Sequence, residues 1–147
     1  MFTVQVSCVI DLPLEQAFAY VADFRNAPTW QPQLAAVRLD DGPFPEGSRV
    51  VEIHHFLGVR VEAAGDLVDW QPLEGFTVRG RSSLLQVESK YRFDREGDGT
   101  RVSLNLTMRP TGPARIAEPM LRRQLRRSLE ESFARLPGSA LAARSPT

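Results

Sequence analysis

The sequence predicts an α+β fold in which a curved antiparallel sheet of about seven strands wraps around a long C-terminal helix, with two short helices after the first strand. Most of the chain alternates between apolar and polar residues, as half-buried strands do. Residues 114–136 instead carry apolar residues at helical spacing, which predicts an amphipathic helix. A sheet with one apolar face must cover that face, and this helix has the longest apolar stripe available.

The first strand is predicted over Phe2–Ile10, where the even-numbered residues form an apolar face. Asp11 is expected to cap the helix that follows, and residues 26–28 (Asn-Ala-Pro) are expected to end it. A second short helix is predicted near Gln33–Ala36. Alternating patterns bounded by turn residues predict the other strands: Val37–Asp40, Ser48–Leu57, Val59–Trp70, Gly75–Arg81, Leu84–Arg95 and Thr100–Arg109.

Turn residues separate these strands. We expect turns at residues 41–43 and at Gly58, and a bulge or bend at Ala64-Gly65. Residues 96–99 (Glu-Gly-Asp-Gly) are the strongest hairpin signal in the chain. The strands on both sides of this turn have one apolar and one polar face, so one side of the sheet should be buried.

The last helix is predicted over Ala114–Leu136. Pro119 either kinks this helix or marks its true start. Pro137-Gly138 is expected to end it, and residues 138–147 are expected to form a disordered tail. Residues 1–137 would then form a single domain.

Composition excludes some functions. The 147 residues include 18 basic and 18 acidic side chains, and this balance argues against nucleic-acid binding. Cys8 is the only cysteine, so no internal disulfide forms. The N-terminus does not resemble a signal peptide, and no apolar run approaches the ~18 residues of a membrane span, so we expect a cytoplasmic protein. We expect no cofactor and no metal, because His54 and His55 are consecutive on a strand and cannot chelate one ion.

A resemblance rests on the order and spacing of several segments: Asp11-Leu12-Pro13-Leu14-Glu15-Gln16-Ala17-Phe18, Asp23-Phe24-Arg25-Asn26-Ala27-Pro28-Thr29-Trp30, Gly47-Ser48-Arg49, Gly99-Thr100-Arg101-Val102 and the closing helix. With these segments, residues 2–136 resemble the START/polyketide-cyclase superfamily (SRPBCC or helix-grip proteins). The nearest branch is the bacterial polyketide cyclase/dehydrase and lipid-transport group. The resemblance implies an internal cavity for lipids, sterols, hormones or polyketides, and in some members ring closure.

A curved sheet and one helix rarely fill the space between them, so a cavity is expected from the fold alone. Trp30 and Phe24 either contact a ligand or pin the short helices to the sheet. Tyr91 lies on the apolar face of the strongest strand, where its hydroxyl needs a partner. The residues predicted to bind the ligand are Trp30, Phe24, His55, Val61, Val87, Ser89, Tyr91, Leu106, Met108 and Met120.

Only one of the two adjacent histidines can face the cavity. An inner face formed by Val51, Ile53 and Leu57 would select His55. An inner face formed by Val50 and Phe56 would select His54, with Glu52 two residues away as a partner for acid–base chemistry. The sequence leaves these alternatives open.

The last helix also carries Arg122, Arg123, Arg126 and Arg127, which could bind anionic lipid headgroups or an acidic partner. We expect instead a solvated face on which Glu130 and Glu131 pair with Arg126 and Arg127.

The leading hypothesis is a non-catalytic protein that binds a small hydrophobic or amphipathic molecule. The alternative is a cyclase, aromatase or dehydratase that uses an inward-facing His, Glu52, Glu62 or Tyr91. A third hypothesis is a partner protein that works through its surface, and a homodimer is one form this could take.

Overall fold

The computed structural model describes residues 1–39, 48–56 and 59–144. Within these ranges the strands are β1 (Phe2–Ile10), β2 (Leu34–Leu39), β3 (Arg49–Phe56), β4 (Val59–Gln71), β5 (Gly75–Arg81), β6 (Leu85–Glu96) and β7 (Gly99–Pro110). The α-helices in the same ranges are α1 (Leu14–Ala22), α2 (Ala27–Trp30) and α3 (Glu118–Arg144). Short 3₁₀ segments at Phe24–Asn26 and Gly112–Ala117 lead into α2 and α3.

The strands form one curled antiparallel sheet in the order β1-β7-β6-β5-β4-β3-β2, which confirms the predicted fold. β6 and β7 are joined at the predicted hairpin, where Gly97 has a φ of 61° that favours glycine. β1 pairs with β7 from Phe2 to Ile10, as its alternating pattern predicted. The predicted turns at residues 41–43 and Gly58 lie outside the described residues.

Helix α3 covers the apolar face of the sheet. The apolar residues predicted for its inner face are all buried: Leu121, Leu125, Leu129, Phe133 and Leu136. They pack in one core with apolar residues of β1, β6 and β7. Pro119 lies in the first turn of α3, so it marks the start of this helix and does not kink its middle.

The prediction that Pro137-Gly138 ends the last helix is wrong, because α3 continues to Arg144. Residues 138–144 therefore belong to the helix and not to a disordered tail. Leu136 and Ala140, on either side of the proline, are 0% and 1% exposed. Ser139 Oγ also donates a hydrogen bond of 3.1 Å to the Thr29 carbonyl. These contacts offset the cost of about 3 kcal/mol that proline imposes inside a helix.

Gly138→Ala should raise the free energy of unfolding by about 1 kcal/mol, because alanine is favoured over glycine in a helix interior. A Cβ added at Gly138 would have open space around it. Gly112→Ala is the matched control: its Cβ would also be unobstructed, but its φ of 56° disfavours alanine, so stability should fall. Urea denaturation measures the free energy of unfolding of both variants. An unchanged midpoint for Gly138→Ala would show that the chain is not helical beyond Pro137.

Three further predictions near the ends of elements are wrong. The second short helix is α2, where Pro28 suits a first helical turn, while residues 34–39 pair with β3 as a strand. Asp11 does not cap α1, which has Pro13 at its N-cap position. The register of β4 shifts between Val68 and Gln71 and is continuous at Ala64-Gly65, so no bulge lies there.

Candidate functional site

A cavity of about 150 Å³ lies between the sheet and α3. It is partly open to solvent and mostly apolar. The larger apolar side chains that line it come from the 3₁₀ segment, α2, strands β4 to β7 and α3: Phe24, Trp30, Val61, Val78, Leu85, Val87, Leu104, Leu106, Met108, Leu125 and Leu129. The cavity therefore lies where the fold predicted an unfilled space.

Two glycines leave part of the cavity wall without side chains. Gly65 on β4 is the cross-strand partner of Gly80 on β5, and Gly80 in turn pairs with Val87 on β6. A Cβ at Gly65 would lie 3.0 Å from Val78 Cγ1, so even alanine would crowd this position. The sheet thus presents bare backbone at a place where larger residues would reduce the cavity.

Most of the residues predicted to bind a ligand line this cavity: Phe24, Trp30, Val61, Val87, Ser89, Tyr91, Leu106 and Met108. They come together because the inner faces of β6 and β7 are in register, with Val87 opposite Met108 and Ser89 opposite Leu106. Their contact with a ligand stays a prediction.

His55 and Met120 do not line the cavity, contrary to prediction. On β3 the inner face is formed by Val50, Glu52 and His54, so His55 points outward and is exposed. Met120 directly precedes the buried Leu121 in α3 but is 59% exposed, because successive residues of an α-helix are rotated by about 100° and this turns Met120 away from the sheet.

Glu52 and His54 form a polar pair in the cavity wall. His54 Nε2 lies 3.3 Å from Glu52 Oε2, which is ion-pair distance when the imidazole is protonated. Both side chains are a little over a quarter exposed. The pair arises because alternate residues of β3 share a face. This is the sequence alternative in which His54, and not His55, faces the cavity beside Glu52.

Tyr91 is near this pair and stacks on Phe76 with ring centroids 4.9 Å apart. Burial raises the pKa of Tyr91, and the negative charge of Glu52 raises this pKa further. The phenol therefore stays protonated at neutral pH and can donate a hydrogen bond to a ligand. Burial also raises the pKa of Cys8, to about 11, although the charge of Arg101 opposes this shift, so Cys8 is not a reactive thiolate at neutral pH.

The raised Tyr91 pKa makes a testable prediction. Because the pKa of Tyr91 is higher in the folded than in the unfolded protein, the protonated phenol favours the folded state. This contribution to stability is complete below the unfolded-state pKa of about 10 and is lost as the pH rises towards the folded-state pKa. At about pH 11, folded wild-type protein and Tyr91→Phe should show the same tyrosinate absorbance. In denaturant, wild-type protein should show the absorbance of one more tyrosinate than Tyr91→Phe. A difference between the folded proteins would mean that the Tyr91 hydroxyl is open to solvent.

Trp30 lies between the cavity and the last helix, and its contact with a ligand stays a prediction. It is 2% exposed and packs edge-on against Phe133 of α3, with ring centroids 5.8 Å apart, and it also lines the cavity. Its indole N–H is buried without a hydrogen-bond acceptor among the described residues.

Five polar residues of the lining were missed: Gln31, Gln33, Arg81, Ser82 and Ser128. Ser128 lies beside Leu125 and Leu129 on the buried side of α3, so a serine on the apolar stripe was a signal that could have been used. The two glutamines lie between α2 and β2, where no periodic pattern indicates direction.

No group of three or more His, Cys, Asp or Glu side chains within the described ranges could hold a metal ion. Among the helices described, none is long and apolar enough to cross a membrane.

The curled sheet gripping a long C-terminal helix, with a cavity between them, is the architecture of helix-grip proteins. The family model for polyketide cyclase/dehydrase and lipid transport matches residues 1–139, so the chain belongs to this family. No curated protein sequence matches it.

Solved structures support the same fold. The protein TTHA0849 from Thermus thermophilus is similar with a TM-score of 0.84 and 19% identity, over 98% of this chain and 100% of that one. A START superfamily protein from Mycobacterium smegmatis has a TM-score of 0.82 and 15% identity, over 96% and 98% of the two chains. The Zhui aromatase/cyclase from Streptomyces sp. R1128 has a TM-score of 0.83 and 12% identity, over 98% and 96%. At these identities the likeness extends to the fold alone.

Proposed function

We propose that this protein is a single ligand-binding domain that holds a small, mainly apolar molecule bearing one hydrogen-bonding group. The observation that carries this proposal is the apolar cavity with Glu52, His54 and Tyr91 in its wall. Apolar area would supply affinity and the polar groups would set the orientation of the ligand. The cytoplasmic location and the homodimer stay predictions.

The cavity volume limits the buried part of the ligand. A cavity of about 150 Å³ is large enough for one benzene ring. Burying about 150 Å² of such a ring contributes about 4 kcal/mol, which corresponds to a dissociation constant of about 1 mM. A larger natural ligand would extend through the open side of the cavity and gain further contacts there.

The test uses two matched probes, 4-ethylphenol and ethylbenzene, which differ by one hydroxyl. Methyl NMR titrations should shift the resonances of Val61, Leu106 and Met108 with both probes. The phenol should bind more tightly, because its hydroxyl can donate to Glu52 and a buried polar group gains from a partner. Glu52→Gln should reduce this preference. Absence of cavity shifts with both probes would refute the proposal.

A second candidate function is proton transfer on a carbonyl compound, as in a cyclase or dehydratase. It is favoured by the imidazole and carboxylate that face the cavity 3.3 Å apart. One of the similar structures is described as an aromatase/cyclase. The probe is 4-phenyl-2-butanone, which has one ring and exchangeable protons next to its carbonyl. An enzyme should accelerate deuterium exchange at those carbons and lose this effect in His54→Gln, whereas a binder should not accelerate it.

A further inference from the structure

Three large apolar side chains are exposed at one end of the sheet. Leu84, Ile116 and Met120 are 46%, 88% and 59% exposed, and we call these three residues the apolar tip. The Thr111 N–H donates a hydrogen bond of 2.8 Å to the Leu84 carbonyl. This bond joins the β5–β6 connection to the segment that carries Ile116. Met120 follows in the first turn of α3. Clusters of exposed large apolar residues are uncommon on soluble proteins and mark contact surfaces.

Arginines outnumber acidic residues in the segment that carries Ile116 and Met120 of the apolar tip. Residues 109–127 contain six arginines and one acidic residue, Glu118, which pairs with the N-terminal ammonium. The expected pairing of Arg126 and Arg127 with Glu130 and Glu131 is wrong. Glu131 pairs with Arg135 at 3.6 Å instead.

No ion pair within the described ranges involves Arg115, Arg123, Arg126 or Arg127. Arg123 and Arg127 follow Met120 at i+3 and i+7, so they share its outward face of α3. Arg122 lies over the Phe2 ring, 5.4 Å from its centroid, which leaves its charge on the flank of the same helix. The protein has no net charge, so this basic surface is a local feature.

We propose that the apolar tip and the arginines of α3 dock the protein on an anionic lipid bilayer. Ile116, Met120 and Leu84 would enter the boundary between headgroups and acyl chains, and the arginines would contact the lipid phosphates. A binding surface for a neutral partner would not require the unpaired arginines.

The cavity extends towards the same end of the molecule. Leu85 and Met108 both line the cavity. Leu85 is next to Leu84, and Met108 lies close to the end of β7. If the proposed function holds, a ligand could therefore pass between bilayer and cavity. The docking itself does not depend on the ligand, so the two proposals can fail separately.

The experiment is co-sedimentation of the full chain with phosphatidylcholine vesicles, with and without phosphatidylglycerol. Binding should require phosphatidylglycerol and weaken as salt rises. The variant Arg123→Gln/Arg127→Gln should weaken binding by roughly fivefold per arginine. Ile116→Ser should weaken it by roughly tenfold or more.

Two controls match these changes at the opposite end of the sheet. Val9 is 40% exposed on β1, and Val9→Ser should leave vesicle binding unchanged. Arg92→Gln/Arg95→Gln removes the same net charge and should have little effect. Absence of binding to phosphatidylglycerol vesicles would overturn the proposal, and so would equal losses in test and control variants. Loss of a dimer in Ile116→Ser, without vesicle binding by the wild type, would assign the tip to a second copy of the chain.

Discussion

Ser89→Phe should abolish measurable binding of 4-ethylphenol while the protein stays folded. Ser89 lines the cavity, and its cross-strand neighbours on the inner face are Val78 and Leu106. The substitution replaces a hydroxyl by a benzene ring, which would occupy the volume that the ring of the probe needs. Because the cavity has room for about one ring, we expect at least a tenfold loss, corresponding to about 1.4 kcal/mol.

The control for this prediction is Gln86→Phe. Gln86 lies on the same strand but is exposed on the outer face. The same aromatic side chain there should leave the affinity for 4-ethylphenol unchanged. Equal binding by Ser89→Phe and wild type in NMR titrations would mean that the probe does not occupy this cavity.

Leu136→Ala should lower the free energy of unfolding by about 2–5 kcal/mol, the usual cost of truncating a fully buried leucine. Leu136 is 0% exposed and belongs to the core formed by α3 and the sheet. It precedes Pro137, so losing its packing also removes a contact that holds the helix through the proline. Urea denaturation should show a lower midpoint with an unchanged slope.

Met120→Ala is the control for the helix, since Met120 is mostly exposed. This variant should change stability by less than about 0.5 kcal/mol. Similar small effects for both variants would mean that α3 does not pack against the sheet at Leu136.

Patterns with a physical period were the most predictable part of the fold. The alternation in Phe2–Ile10 and in the β6–β7 hairpin fixed both the strands and their buried faces, because a strand places alternate residues on opposite sides. The apolar stripe of α3 was equally clear. Its end was mispredicted because a local proline signal was outweighed by tertiary contacts at Ala140 and Ser139.

The candidate site was predictable wherever its residues lie on such patterns. Val87, Ser89 and Tyr91 follow from the period of β6. The period of β3 could not decide between His54 and His55, because this strand has apolar residues on both faces. Val50 and Val51 are both buried. Only the pairing of β3 with β4 decides which histidine faces the cavity.

The proposed ligand is held between the sheet and the last helix, and intermolecular NOEs test this position most directly. Protons of the 4-ethylphenol ring should show NOEs to methyl groups of Val61 and Leu106 on the sheet and also of Leu129 on α3. Simultaneous contacts to both layers are the predicted result. NOEs confined to outward-facing methyls such as those of Ile116 or Val68, with none to Leu129, would contradict it.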